Sequence, residues 1–202
     1  MRYRGRGVVM GASLSALVLV ASGCTGAEEA EPTPSFASPT ADADPSPELT
    51  EPPYETELNL TPDEKKAADE AYAILVKFIN AYNRVGADSG SNPERALKYA
   101  SGDVESEYRS SFRDFEQDGL RVVGGVTHKY HELSDVSIQG SEPGEGNVEF
   151  QSCVDFSAFD LVDEAGQSQA GEDTRPFIVV YTVSKEDGGW KFSELRNTDE
   201  TC

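Results

Sequence analysis

The chain is short of histidine, with two in 202 residues, and short of basic side chains, with 17 against 37 acidic ones. A formal charge of −20 argues against nucleic-acid binding, which requires clustered Lys and Arg to neutralise phosphates, so no nucleic-acid partner is expected. Beyond residue 21 no apolar run is long enough to cross a bilayer. There is no phosphate-cradling glycine loop, no dinucleotide glycine fingerprint, no zinc motif and no nucleophile elbow. The sequence therefore gives no reason to expect a cofactor or a metal. The hydrophobic share is 37%, low for a chain folded throughout, and points to an unfolded portion.

What is present begins at the N-terminus. Arg2, Arg4 and Arg6 precede a 14-residue apolar run from Val8 to Ala21, with no acidic residue before Cys24. A basic region followed by an apolar stretch of this length predicts a secretory signal peptide over 1–23, too short for a spanning helix. The run ends in Ala21-Ser22-Gly23-Cys24, which resembles the lipobox of bacterial lipoproteins, with Ala21 where Leu is commoner. The resemblance implies cleavage before Cys24 and a diacylglycerol on its sulfur. Two or more acyl chains anchor stably where one does not. The expected location is the extracytoplasmic face of the cell membrane, with the lipid on Cys24 as the only attachment. Without residues 1–23 the charge becomes −23.

Residues 24–60 have a different composition. Seven of the eleven prolines and nine acids fall there, with no Lys or Arg. Such a segment cannot bury enough apolar surface to offset its ordering entropy, so a disordered acidic tether is expected. It would span on the order of 35 Å as a coil and about 110 Å if polyproline-like.

Residues 61–202 are expected to fold. Thr61-Pro62-Asp63-Glu64 is a helix start with a capping box, followed at helical spacing by Ala71, Ile74, Leu75, Phe78, Tyr82 and Val85, with a stop near Gly86. Asn92-Pro93 opens a short second helix, and Asp103 a third that carries Val104, Tyr108, Phe112 and Phe115 and stops at Gly119. After Gly119 the pattern is strand-like: Val126 to Tyr130, Val136 with Ile138, Val148 to Phe156, Phe177 to Val183, and a hairpin turning at Asp187-Gly188-Gly189 into Trp190-Lys191-Phe192. Helices first and strands after predict an α+β domain, three N-terminal helices on one face of a curved antiparallel sheet. Tyr72, Tyr108, Phe112, Phe115 and Tyr130 read as core aromatics.

This element order, with the long first helix and the closing Gly-Gly-Trp-Lys-Phe hairpin, resembles the nuclear transport factor 2-like family and its cystatin-like cone. The layout of lipobox, tether and domain resembles that of lipoproteins of high-GC Gram-positive bacteria. The family resemblance implies a sheet wrapped around the first helix. It does not choose between small dehydratases and isomerases on one side and non-catalytic binding or dimerisation domains on the other.

With Cys24 assigned to the lipid, Cys153 and Cys202 remain, and export favours a disulfide between them over a catalytic thiol. Alternation puts Cys153 on the face opposite Val148, Phe150 and Val154. A loop of about 50 residues closed this way is worth roughly 4 kcal/mol in the chain-entropy model.

His128 and His131 lie three apart. On a strand that offset sends them to opposite faces, which argues against a shared metal site unless the strand bulges. His128 shares parity with Val126 and Tyr130, so it is expected on the core side, with Tyr130, Tyr181 and Trp190 as lining of any ligand pocket. The plainer reading of His128 is a half-buried, hydrogen-bonded strand histidine. Asp160, Asp163, Glu164, Glu172 and Asp173 form an acidic loop without EF-hand spacing, better read as solvated than as a Ca²⁺ site.

The leading functional expectation is a lipid-anchored, non-enzymatic domain that binds a small apolar ligand or an envelope protein. One alternative is a small hydro-lyase or isomerase that uses a pocket histidine. Another is an accessory domain that forms a homodimer through an outer-face patch of Ile178, Val180 and Leu195, without ligand. For residues 61–202, 14 basic and 28 acidic side chains leave a charge of −14, which favours a neutral or cationic partner over a polyanion.

Overall fold

Thr61 starts the first helix as its sequence predicts. Its hydroxyl accepts from the backbone N–H of Glu64, and the Glu64 carboxylate accepts from the Thr61 N–H at 2.8 Å, closing the capping box. The computed structural model describes residues 50–138, 146–169, 171 and 175–202, all within one compact unit, Pro45–Cys202. The signal peptide over 1–23 and the lipidation site Cys24 lie outside the described residues.

Among the described residues the order is β1 (Tyr54–Glu55), α1 (Pro62–Ala87), α2 (Glu94–Leu97), α3 (Gly102–Asp118), β2 (Arg121–Val123), β3 (Thr127–Ser137), β4 (Asn147–Asp155), β5 (Asp160–Val162), β6 (Phe177–Glu186) and β7 (Gly189–Thr201). Five strands form one sheet in the order β1-β3-β4-β6-β7, antiparallel except where β1 lies parallel to β3. β2 and β5 form a separate antiparallel pair. The fold is α+β with three helices, and none of the described helices is long and apolar enough to cross a membrane.

One face of the sheet carries the core. Leu133, Val148, Phe150, Val154, Val183 and Phe192 point at α1, which returns Ala68, Ala71, Leu75, Phe78 and Val85. The strict i, i+3, i+4 spacing of those α1 residues is what lets one helix cover the sheet. Gly119 ends α3 in a left-handed turn with φ 64°, a conformation that costs an L side chain steric strain.

Three differences from the sequence reading matter for function. First, residues 50–60, assigned above to the disordered tether, lie on the domain: Tyr54 and Glu55 pair with His131 and Glu132. Second, the expected strands at Val126–Tyr130 and Val136–Ile138 form one strand, β3, with extra residues at Lys129 and Ser134 relative to β4. Each bulge bends the strand and reverses its side-chain parity. Third, Ile178 and Val180 are buried and Leu195 faces inward, so these three residues form no exposed patch.

The chain end is tied to the sheet. Cys153 in β4 and Cys202 after β7 form a disulfide, and Cys153 does lie on the face away from Val148, Phe150 and Val154.

Candidate functional site

The site draws on the segment before β1 and on β3, β4 and β6, and side chains of α1 hold these parts in place. Asn83, buried on α1, uses its amide as a two-pronged clamp: Nδ2 donates to the Val126 carbonyl at 3.0 Å, and Oδ1 accepts from the Val126 N–H at 2.9 Å. Gly125, with φ 87°, allows the backbone to approach that amide closely, since a Cβ there would sit 3.0 Å from Asn83 Oδ1. The clamp fixes the start of β3 and therefore the direction of His128, two residues on.

The bulge at Lys129 then decides the rest. His128 opposes Val154, Tyr130 opposes Cys153, and His131 opposes Ser152. The two histidines therefore share the inner face, not opposite faces, and the argument against a shared site no longer holds. Their ring centroids are 4.7 Å apart. Tyr130 is turned outward and is 40% exposed, so it does not line the inner cavity. It borders an open surface groove with Glu55, Glu57 and Glu132 instead.

Glu51 joins the two imidazoles. Its Oε2 lies 2.9 Å from His128 Nδ1 and 3.2 Å from His131 Nε2. The side chains of both histidines are fully buried and that of Glu51 is 3% exposed. The segment carrying Glu51 is extended because Pro52 and Pro53 follow it. It is fastened on both sides: the Pro52 carbonyl accepts from the Tyr72 hydroxyl, Tyr54 Oη donates to Asp69 Oδ1 at 2.5 Å, and Thr56 Oγ1 donates to the Leu133 carbonyl at 3.3 Å. The Tyr54 ring also packs on Tyr72 and Phe150.

Two hydroxyls complete the network. His128 Nε2 is 2.9 Å from Tyr181 Oη, and His131 Nδ1 is 2.7 Å from Ser152 Oγ. Burial pushes the Tyr181 phenol well above its usual value, so it stays protonated and donates. Burial alone raises the Glu51 carboxyl, but the hydrogen bonds and charges of the two histidines outweigh it and hold it down at about 2. Burial also lowers His131, and the Glu51 carboxylate offsets this only in part. One set of proton positions satisfies every contact. Glu51 accepts from His128 Nδ1–H and His131 Nε2–H, while Tyr181 donates to His128 Nε2 and Ser152 to His131 Nδ1.

His128 and Tyr181 also form part of the wall of a cavity of about 90 Å³, otherwise lined largely by apolar side chains that include Val126, Val154, Phe156 and Phe177. The exposed Asn197 is also part of its lining. Of the four residues expected around a pocket, the structure brings His128 and Tyr181 together and separates the other two. Trp190 lies outside this cavity, buried against α1, with Nε1 donating to Glu70 Oε2 at 3.1 Å.

No family model matches the chain, and no curated protein matches it. Solved structures do. The intermembrane-space region of the chloroplast protein ARC6 is similar with 16% identity and a TM-score of 0.48, covering 67% of this chain and 97% of that one. A provisionally named aromatic ring hydroxylase from Novosphingobium aromaticivorans has 15% identity and a TM-score of 0.36, covering 66% of this chain and 94% of that one. An uncharacterised protein with a cystatin-like fold from Caulobacter vibrioides has 14% identity and a TM-score of 0.33, covering 66% and 92%.

Glu51 and Ser152 are the functional-site residues that sequence reasoning missed. A signal for the bulge was present, since Val126 and His128 differ in parity from Leu133, and both sets can face inward only if a residue is inserted between them. A signal for the segment was weaker: Tyr54, Thr56 and Leu58 alternate immediately after the prolines. In the acidic loop, Asp163 Oδ1 accepts from the Ala165 and Gln167 N–H groups and Asp160 Oδ1 from Ser168 Oγ, so both carboxylates serve the loop's own turns. Glu172 and Asp173 lie outside the described residues.

Proposed function

We propose that the protein is an extracytoplasmic lipoprotein, acylated on Cys24, whose domain binds a small, largely apolar group in the cavity beneath His128 and Tyr181. The observation that carries the binding reading is the composition of that cavity, an apolar lining with the His128–Tyr181 pair on its wall. Its volume of about 90 Å³ is below the roughly 150 Å³ that holds a benzene. A short alkyl end fits it, with the Tyr181 oxygen placed to accept from a polar atom.

The hydro-lyase or isomerase reading draws support from the same histidine, because His128 faces the cavity beside a second polar group. It ranks second because both ring nitrogens of His128 are engaged, one by Glu51 and one by Tyr181, which leaves no free lone pair to take a proton from a ligand.

Native mass spectrometry of residues 45–202, purified from an oxidising compartment, tests the binding reading. A co-purifying adduct that leaves under mild activation, and that is lost when Val179, a buried residue of the cavity wall, is enlarged by Val179→Phe, is the expected result. A chain with no adduct and no melting shift in millimolar short-chain alcohols or acids overturns it. Palmitate labelling of the wild type, absent in Cys24→Ser, is expected for the anchor; label in neither protein overturns the lipoprotein assignment.

A further inference from the structure

We propose that Glu51, His128 and His131 form a binding site for a first-row divalent transition cation such as Zn²⁺, with Tyr181 and Ser152 as the groups that orient its imidazole ligands. The three ligand atoms, Glu51 Oε2, His128 Nδ1 and His131 Nε2, lie within 4.8 Å of one another. Two imidazoles and one carboxylate suit Zn²⁺, Fe²⁺ and their neighbours better than Ca²⁺ or Mg²⁺, which prefer all-oxygen shells.

The spacing fits. Metal–ligand bonds of about 2.1 Å put adjacent ligand atoms about 3.0 Å apart at right angles and about 3.4 Å apart at tetrahedral angles. The carboxylate oxygen is 2.9 and 3.2 Å from the two nitrogens. The atoms that now share hydrogen bonds are already close to the separation they would keep around an ion.

The partners behind the histidines carry the argument further. A metal needs the lone pairs of His128 Nδ1 and His131 Nε2, so the protons there must move to His128 Nε2 and His131 Nδ1. Those nitrogens face Tyr181 Oη and Ser152 Oγ. A hydroxyl both donates and accepts, so each can rotate from donor to acceptor and receive the relocated proton. A backbone carbonyl in either place would lock one tautomer; two hydroxyls permit both. Metal-bound histidines characteristically donate their second N–H to such a partner.

Charge points the same way. Glu51 is a carboxylate buried on the inner face, and its partners among the described residues are the two imidazoles. A cation held between the three would pair directly with that buried carboxylate. Three protein ligands leave at least one position for water or a bound group.

Residues 24–202 with Cys24→Ser, stripped with chelator, should take up one Zn²⁺ per chain with micromolar or tighter affinity in a competition assay. Co²⁺ should give the visible absorption of a nitrogen- and oxygen-ligated ion. Glu51→Gln and His131→Gln should each weaken binding at least tenfold, and Ser152→Ala about tenfold to a hundredfold. One readout needs no variant: imidazole ¹⁵N spectra of the wild type should show the proton of His128 moving from Nδ1 to Nε2, and that of His131 from Nε2 to Nδ1, when Zn²⁺ is added. Absence of stoichiometric binding, binding that survives both ligand substitutions, or unchanged tautomers on saturation each overturns the proposal. These readouts are independent of whether the cavity beneath His128 holds a ligand.

Discussion

Lys129 is one residue more than β4 offers opposite it, and that insertion places two imidazoles against one carboxylate. Side-chain alternation is reliable only while the ladder is regular, so a rule that was right for β4 failed for β3 at this point. His128 was legible as an inward residue because it precedes the bulge; Tyr130 and His131 were misassigned because they follow it. Trp190 is a different case. It is inward as its parity requires, but its indole N–H is committed to Glu70, and sequence alternation carries no information about position along the strand's length. Within the cluster, Tyr181→Phe removes the hydroxyl that faces His128 Nε2 and leaves a buried acceptor without that donor. The expected loss of stability is about 1–3 kcal/mol, read as a lower urea midpoint with an unchanged slope. An unchanged midpoint would mean that the proton on His128 sits elsewhere than the network requires.

The segment before α1 shows how an element escapes composition-based reading. Residues 50–60 are rich in proline and acid, as the tether is, and by composition alone they belong with it. What fixes them is tertiary: the parallel pairing of Tyr54 and Glu55 with β3, the Tyr54 and Tyr72 contacts on α1, and the buried Glu51 carboxylate. By contrast α1 was legible in full, because its capping box and its apolar stripe are both local signals. A chain beginning at Leu58 keeps α1 and its cap but loses the whole attachment. It uncovers the β3 edge and leaves two buried imidazoles without their acceptor. Against residues 45–202, this truncation is expected to lose several kcal/mol in chemical denaturation, with a further rise in aggregation. Equal stability of the two would show that the segment rests on the domain without supporting it.

At the scale of the molecule, the α+β order and the layer of helices on one sheet face were readable from the switch in hydrophobic period after Gly119. The sheet's bends were not, because they come from bulges whose cause is packing rather than any residue type. The same packing buries Tyr181 and half-buries Tyr82 and Tyr108. Burial raises Tyr82 to about 12 and pushes Tyr108 and Tyr181 up as well. In the unfolded chain these groups ionise near their ordinary value of 10.0, so above that pH the unfolded state sheds protons the native state retains. Their contribution to stability is therefore complete below pH 10 and is lost as the pH rises through the native values. Tyrosinate absorbance at 295 nm, followed with circular dichroism on the metal-free protein, should show a component that appears only as the fold is lost, between about pH 10 and 12. A titration in which all eight tyrosines ionise together near pH 10 while the dichroism stays native would contradict the packing of α1 and α3 against the sheet.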